Sequence, residues 1–257
     1  MRDRKAESAA ADLPQSLIET QHGKFWLPDS SYEDPILQAI RSNSLFDDHV
    51  VQALKPFVTA GSTVIDVGAN FGQMCIKWSQ MVGETGWVHA FEASKFIAHF
   101  LRKSMQANEH CCNVIVHENA CWEVSGVDLN MLEPDGSNHG LFYSGMGIKS
   151  SFEGDTRNMS THLATSLRID DVKYTTPVSV IKIDAQGSDL YALRGARETI
   201  VKYLPLVAFE YEPHYNPMFN ITWDDYHNFL TDLGYVQRLD IMNNDHDFCY
   251  IHASKNV

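Results

Sequence analysis

From residue 63 onward, short apolar segments alternate with segments whose apolar residues recur every three or four positions. The helical spacing is clearest after Ser94, where Phe96, Phe100 and Leu101 share one face of a predicted helix. The apolar segments have the length and the β-branched content that are typical of buried strands. Five of them lie before the final helical segment: 63–67, 87–92, 114–118, 178–183 and 206–211.

This alternation predicts an α/β fold, in which a mostly parallel sheet carries helices on both faces. Helical segments are predicted in 34–57, 71–82, 94–105, 188–204 and 222–234. Two further apolar segments, 235–239 and 248–252, flank turn-forming residues and predict a final hairpin. The expected sheet therefore has seven strands, of which one is antiparallel.

The same pattern predicts one domain over residues 19–257, preceded by a disordered lead-in over residues 1–18. The alternation breaks between 119 and 177, where a small β-hairpin insertion is expected from the apolar segments 127–132 and 141–143. A long polar insertion beside a sheet is either a functional lid or a disordered loop. The sequence leaves both interpretations open.

The composition of the chain limits the classes of molecule that it is expected to bind and the compartment in which it is expected to lie. Thirty-three acidic residues against 20 lysines and arginines give a net charge of −13, which repels nucleic acids and favours neutral or cationic small molecules. No apolar run is long enough to span a membrane, and the N-terminus lacks the apolar core of a secretory signal. Five cysteines without metal-binding spacing fit a reducing compartment, so a cytoplasmic location is expected.

The clearest chemical feature is a strand that runs into a glycine-rich turn and then a helix, Val64-Ile-Asp-Val-Gly-Ala-Asn-Phe-Gly72. Asn70 stands where a dinucleotide fingerprint has its middle glycine, so a pyrophosphate would be crowded and a ribose without a pyrophosphate fits better. Glu92 ends the next strand and is placed to accept ribose hydroxyls. Asp66 is a carboxylate inside an apolar strand, which predicts a role in orienting backbone amides or a cationic ligand.

These residues resemble the FkbM family of S-adenosylmethionine-dependent methyltransferases. The resemblance is also carried by Phe91-Glu-Ala-Ser94, by Asn119-Ala120, by Ser166-Leu-Arg-Ile-Asp-Asp171, and above all by Ile181-Lys-Ile-Asp-Ala-Gln-Gly-Ser-Asp-Leu-Tyr-Ala-Leu-Arg-Gly-Ala196 followed by Leu204-Pro-Leu-Val-Ala-Phe-Glu210. It implies a Rossmann-like class I methyltransferase fold, S-adenosylmethionine as the cofactor, and methylation of a hydroxyl on a sugar, glycan or similar small polyol.

The resemblance also implies a set of cofactor contacts. Glu92 would hold the ribose, Ala93 and Ser94 would lie alongside the adenine, and Asn119 and Ala120 would form the far wall of the adenine site. The remaining contacts would come from the turn after the first strand: Asp66, Gly68, Asn70, Phe71 and Gly72. The chain departs from the family at Gln186, where an acid is usual, and at Asp189, where Glu is usual.

On the substrate side, Asp184 ends a central strand and is predicted to be the base, to orient the hydroxyl, or to hold a divalent metal. The alternative is a buried acid that accepts hydrogen bonds from the amides of residues 186–188. Lys182 points the same way and is expected to pair with Asp184. Glu210, Glu212 and His214 close the next strand and would form a metal or base cluster if the strand stayed extended, but Pro213 interrupts that geometry. Glu210 and His214 are further catalytic candidates, and His214 is either a base or hydroxyl contact, or a loop histidine.

Four aromatic residues surround the same strand end, and they suit either sugar rings or the core: Tyr211, Tyr215, Phe219 and Trp223. Two other function classes stay open at this point. One is an enzyme of NAD or nucleotide sugars, which Asn70 disfavours. The other is a catalytically silent domain that binds a cofactor or a partner. The metal requirement and the oligomeric state stay open as well.

Overall fold

A computed structural model describes residues 14–29, 34–134, 147–148, 159–213, 215–242 and 246–255. The described residues form seven α-helices: α1 (Pro35–Arg41), α2 (Asp48–Leu54), α3 (Gln73–Val82), α4 (Lys95–Ala107), α5 (Asp189–Arg194), α6 (Arg197–Tyr203) and α7 (Trp223–Asp232). None of them combines the length and the apolar character needed to cross a bilayer.

The central sheet has seven strands: β3 (Thr63–Val67), β4 (Trp87–Phe91), β5 (Val114–His117), β10 (Val178–Ile183), β11 (Leu206–Glu210), β12 (Tyr235–Gln237) and β13 (Asp247–His252). Their order is β12-β13-β11-β10-β3-β4-β5. Only β13 runs antiparallel to its two neighbours. The predicted α/β architecture with one antiparallel strand is therefore confirmed, and it is the Rossmann-like arrangement of class I methyltransferases.

Helices cover both faces of this sheet, and each face has its own apolar core. Strand residues alternate between the two: Val64 packs on the side of α3 and α4, whereas Ile65 packs on the side of α5 and α7. Ser94 begins α4 as predicted, because its hydroxyl accepts a hydrogen bond from the Ile97 amide at 3.2 Å. Thr222 and Asp225 form a capping box at the start of α7.

The N-terminal region differs from the sequence prediction. Two strands, β1 (Gln15–Thr20) and β2 (Gly23–Pro28), form an antiparallel hairpin, so residues 15–18 belong to a strand and not to a disordered lead-in. An isolated hairpin is marginal in water. This one is ordered because it packs on α4, where Ser104 Oγ accepts a hydrogen bond from the Trp26 amide at 2.9 Å, and Phe25 is fully buried.

The insertion is a small sheet in the order β6-β9-β7-β8. Its strands are β6 (Ala120–Cys121), β7 (Asp128–Pro134), β8 (Gly147–Ile148) and β9 (Met159–Leu167). A hairpin-like insertion is thus present, in which β7 pairs over its whole length with β9 and at Met131 and Leu132 with β8. The predicted strand 141–143 lies outside the described residues, as do the other residues of 135–146 and 149–158.

Asn108, which follows α4, ties the N-terminal hairpin to this helix. Its Oδ1 accepts a hydrogen bond from the Lys24 amide at 3.0 Å, and its Nδ2 donates to the carbonyls of Lys24 and Ser104 at 2.8 and 2.7 Å. The side chain is buried. These hydrogen bonds therefore join the hairpin, next to its turn, to the buried side chain of Asn108.

We predict that Asn108→Ala lowers the free energy of unfolding by about 1–3 kcal/mol, because it leaves buried backbone groups unsatisfied. Urea denaturation measures this change. Gln21→Ala is the matched control, since it removes only exposed side-chain contacts, with the Asn43 carbonyl and with His22, and is expected to change stability by less than about 0.5 kcal/mol. Equal effects of the two substitutions would contradict the assignment.

Candidate active site

A cavity of about 610 Å³ opens at the carboxyl ends of β3, β4, β10 and β11. Ligands of open α/β sheets bind at this edge. The sequence-predicted residues that line it are Asp66, Gly68, Asn70, Phe71, Gly72, Glu92, Ala93, Asn119, Ala120, Lys182, Asp184 and Glu210. The fold thus brings together nearly all of the residues that sequence reasoning had selected from separate segments.

The glycine-rich turn after β3 is built by close backbone approaches. Gly68 has φ +74°, and a Cβ there would overlap the carbonyl oxygen of Asp184. Gly72 has φ +89°, and a Cβ there would lie 2.6 Å from side-chain atoms of Leu101 and Met105 on α4. The first glycine therefore lets the β3 turn touch the end of β10, and the second lets α3 start against α4.

Glu92 joins the β3 turn to the end of β4. Its Oε2 accepts a hydrogen bond from the Asn70 amide at 2.9 Å, and its Oε1 accepts one from the Ser94 amide at 2.8 Å. Asn70 adopts φ +50°, and its own side chain accepts a hydrogen bond from the Phe71 amide. These two bonds fix the carboxylate of Glu92 in the wall of the cavity.

The predicted adenine wall is only partly as expected. Asn119 and Ala120 line the cavity, and Asn119 Nδ2 donates to the Thr165 carbonyl at 3.0 Å. Ser94 is 1% exposed and is not among the lining residues, because its hydroxyl caps α4. Cys121 and Met131 also line the cavity; the sequence offered no signal for them, because strand pairing within the insertion brings them there.

Lys182 lies between two carboxylates on one face of the sheet. Its Nζ is 3.4 Å from Asp184 Oδ2 and 3.6 Å from Asp66 Oδ1. Burial disfavours the ammonium charge, but the nearby carboxylates, led by Asp184 and Asp66, outweigh burial and raise the pKa of Lys182. The predicted pairing of Lys182 with Asp184 is therefore present, and Lys182 is charged.

Asp66 lies at the edge of the cavity but is almost completely buried. Its side chain is 1% exposed, and its Oδ2 accepts hydrogen bonds from Trp78 Nε1 at 3.2 Å and Cys75 Sγ at 3.3 Å. Burial raises the pKa of Asp66, although Lys182 opposes the rise. Asp66 thus orients Lys182 and two side chains of α3, and not the backbone amides that the sequence suggested.

Asp184 and Glu210 form a hydrogen-bonded pair at the ends of adjacent strands. Burial opposes ionisation of Asp184, but Lys182 and hydrogen bonds from Glu210 and Gln186 outweigh burial and lower the pKa of Asp184. Burial and then the charge of Asp184 raise the pKa of Glu210. At neutral pH the pair therefore holds one proton, on Glu210, and one negative charge, on Asp184.

Both members of this pair line the cavity, and 31% of the Asp184 side chain is exposed. The alternative role that the sequence allowed for it, accepting hydrogen bonds from amides of the next turn, belongs to Asp189. Asp189 accepts hydrogen bonds from the amides of Ala185 at 3.2 Å and Gly187 at 3.1 Å. Burial and then the charge of Asp184 raise the pKa of Asp189 to about 7.

Only some of the other candidates on the substrate side line the cavity. Tyr215 and Glu212 line the cavity, whereas Trp223 packs against Phe248 at a ring-centroid distance of 4.4 Å and Phe219 is buried. His214 lies outside the described residues. No group of three or more potential metal ligands occurs among the residues that the structure describes.

Asp47, which sequence reasoning missed, lines the cavity from the start of α2. It adopts φ +53° and does not cap the helix with its side chain. Burial raises its pKa, as do the charges of Asp184 and Asp247. Its only signal in the sequence was its place before a helix, which predicts an ordinary cap.

The family model of the methyltransferase FkbM domain matches residues 66–236, from the acid inside β3 to the middle of β12. The chain belongs to the FkbM methyltransferase family. The resemblance seen in the sequence is thereby confirmed, and the family is one of S-adenosylmethionine-dependent methyltransferases. No curated protein sequence matches the chain.

Solved structures of methyltransferases are also similar to this member of the FkbM family. A methyltransferase FkbM from Methylobacillus flagellatus KT is 19% identical, with 75% of this chain and 44% of that chain covered and a TM-score of 0.49. The chain thus spans less than half of that protein's length.

Two further structures match with TM-scores of 0.46. One is an S-adenosylmethionine-dependent O-methyltransferase from Thermotoga maritima, 14% identical, with 93% of this chain and 78% of that chain covered. The other is a candidate rRNA methylase from Clostridium thermocellum, 10% identical, with 86% and 96% covered.

The cavity fits the cofactor of this family. Gly68 contributes backbone without a side chain to the cavity lining, and the carboxylate of Glu92 lines the same cavity. Asp184 supplies negative charge, which complements a sulfonium cation. The residues that would hold S-adenosylmethionine are therefore those of the β3 turn, Glu92 and the wall at 119–121.

We predict that Glu92→Ala weakens the binding of S-adenosylmethionine by roughly 1.5–3 kcal/mol, the range for hydrogen bonds to charged groups. Calorimetric titration measures the affinity, and circular dichroism checks the fold. Glu118→Ala is the control, because Glu118 is more exposed than Glu92, forms an ion pair with Arg102 and does not line the cavity. Unchanged affinity in a folded Glu92→Ala protein would overturn the ribose assignment.

Proposed function

We propose that this protein is an S-adenosylmethionine-dependent O-methyltransferase whose acceptor is a hydroxyl of a sugar, a glycan or a similar small polyol. The observation that carries this proposal is the carboxylate of Asp184, which lines the cavity together with Glu210 and lies 3.4 Å from the ammonium of Lys182. Methyl transfer to an alcohol requires a proton acceptor beside the attacking oxygen. Asp184 is an ionised carboxylate that is exposed to the cavity.

When bound, S-adenosylmethionine supplies an electrophilic methyl group. Asp184 accepts a hydrogen bond from the acceptor hydroxyl, orients its lone pair, and receives its proton. A weak base is sufficient for this task, because the hydroxyl proton becomes strongly acidic as the oxygen forms its third covalent bond, to the methyl carbon. The low pKa of Asp184 is therefore compatible with the role of base, and it keeps this carboxylate ionised at neutral pH.

The residues around Asp184 keep the charge where it is needed. Glu210 is protonated and donates to Asp184, so two adjacent acids carry one negative charge and not two. Lys182 is 3.4 Å from Asp184 and is buried, so it is a positioning residue. His214 remains a predicted second contact to the hydroxyl.

The acceptor class is supported by other residues that line the cavity. They include the aromatic residue Tyr215 and the carboxylates of Glu212 and Asp47. Sugars offer an apolar ring face to an aromatic residue and hydroxyls to carboxylates. The net charge of −13 disfavours a nucleic acid acceptor. All five cysteines are free, which supports a location in the reducing cytoplasm.

We predict that Asp184→Asn lowers turnover by about 10²–10⁴-fold, the contribution of a positioned base, and leaves cofactor affinity within a few-fold. Methyl transfer to a panel of sugars, glycans and RNA measures turnover and also tests the acceptor class. Asp232→Asn, on the exposed side of α7, is the matched control. Near-normal turnover of Asp184→Asn would remove Asp184 from the chemistry.

The raised pKa of Glu210 has a consequence for stability. The folded protein keeps a proton on Glu210 that the unfolded chain releases above its ordinary pKa of 4.5. The stability that this proton provides is complete below pH 4.5 and is lost progressively as pH rises toward the folded pKa. Gln cannot ionise, so Glu210→Gln removes this loss.

We therefore predict that Glu210→Gln becomes more stable relative to the wild type between pH 5 and pH 8, by up to about 1.4 kcal/mol per pH unit. Urea denaturation at several pH values measures the difference. Glu198→Gln, which removes an exposed acid on α6, serves as the control. A difference that does not change with pH would show that Glu210 is ionised in the folded protein.

A further inference from the structure

The sheet fixes β10 and β11 only as far as their last paired residues. Their register ends at Ile183 and Phe209, yet Asp184, Gln186 and Glu212, which line the cavity, lie beyond these residues. Something other than the sheet must therefore hold the loop after β10, residues 184–188, against the loop after β11, described at 211–213 and 215–216.

Asn216 makes that connection. Its Oδ1 accepts a hydrogen bond from the Glu212 amide at 2.6 Å, within the loop after β11. Its Nδ2 donates to the Gly187 carbonyl at 3.1 Å, in the loop after β10, and to the Tyr226 hydroxyl at 2.8 Å, on α7. The residue is 0% exposed, so water does not compete for these bonds.

The loop after β10 is also held by contacts with Tyr215 and Asp189. Gly187 has φ +88°, and a Cβ there would lie 2.5 Å from Tyr215 Cβ, so the two loops are in direct contact. Asp189 binds the amides of Ala185 and Gly187. Hydrogen bonds to Asp189 and to Asn216 therefore hold the turn in place.

The conformation of this turn determines one contact of Asp184. Gln186 adopts φ +50°, and in that conformation its Nε2 donates to Asp184 Oδ1 at 3.0 Å. This hydrogen bond stabilises the ionised carboxylate. A looser turn would let Gln186 leave Asp184.

We propose that Asn216 is a positioning residue that joins the two acid-bearing loops and thereby holds Gln186 against Asp184. The inference rests on the proposed function for its significance, since Asp184 is the proposed base. Asn216 itself lies behind the cavity wall and touches no reacting group.

Other charged groups also act on Asp184, and none of them is bonded by Asn216. They are Lys182 on β10, Asp66 on β3, Glu210 on β11, Asp189 on α5 and Asp47 before α2. Glu212, the remaining acid of this wall, acts on Glu210, and Asn216 bonds only its backbone amide. A change in the titration of Asp184 on removal of the Asn216 side chain therefore reports the turn that carries Gln186.

The test compares Asn216→Ala with Tyr226→Phe in the full chain. Tyr226→Phe removes a buried partner of the same network but leaves the bond between Asn216 and Gly187 in place. The ¹³C resonance of the Asp184 carboxyl, assigned by its loss in Asp184→Asn, is followed against pH. Thermal unfolding is measured for both variants.

We expect both variants to unfold at lower temperature, and only Asn216→Ala to raise the midpoint of the Asp184 titration, by about one pH unit. If Asn216→Ala does not fold, Asn216→Leu replaces it, because it is close to asparagine in size, adds no charge near Asp184 and also loses the donor to Gly187. An unchanged Asp184 midpoint in the folded variant would overturn the inference, as would an equal shift in Tyr226→Phe. The titration needs no acceptor, so it succeeds or fails independently of whether Asp184→Asn retains turnover.

Discussion

One ammonium group, Lys182 Nζ, lies between the carboxylates of two adjacent parallel strands, 3.6 Å from Asp66 and 3.4 Å from Asp184. A charge that is taken out of water is costly unless it is paired. Removing the ammonium would leave two buried acids without compensation, a loss of about 3–5 kcal/mol for a broken buried pair. The ion pairs therefore tie the end of β3, which leads into the cofactor turn, to the end of β10, which carries the proposed base.

The pairing follows from strand register. Lys182 lies opposite Asp66 in the parallel ladder between β10 and β3, and the even-numbered residues next to this pair, Val64 and Val180, pack on the side of α3 and α4. Asp66, Lys182 and Asp184 therefore emerge on one face, where α3 supplies Trp78 and Cys75 as additional partners for Asp66. The opposite face carries Ile65, Ile181 and other apolar residues and packs as core.

Close backbone contacts complete the cavity that these charges border. The overlap that a Cβ at Gly68 would make with Asp184 shows that the cofactor turn and the loop of the base touch directly. The same principle recurs at Gly187, which lies against the loop after β11. Glycines thus bring three strand ends together, and Glu92 and Asn216 provide the hydrogen bonds that hold them. The ion pairs, the close contacts at the glycines and the hydrogen bonds between the loops therefore all act on the strand ends around the cavity.

Much of this architecture could be predicted from the sequence, because strand and helix periodicity and the glycine-rich turn are local properties. The prediction of seven strands with one antiparallel member rested on such patterns, as did the expected cofactor residues around Gly68 and Glu92. The family resemblance then related Asp184 and Lys182 to the same edge of the sheet. Lys182 and Asp184 are two residues apart in the sequence, and this spacing along a strand sufficed to place their side chains on the same face of the sheet.

Only the tertiary structure decided the features that depend on contacts between distant segments. The N-terminal hairpin is ordered because it packs on α4, the insertion pairs β7 with β9, and Ser94 caps its helix away from the cavity. Asp47 and Asn216 gave no chemical signal, since a residue before a helix and an asparagine in a loop are common. A sequence pattern records which face or turn a residue prefers. The protonation of Glu210 and the contacts of Asn216 arise from burial and from neighbours far along the chain, which no local pattern contains.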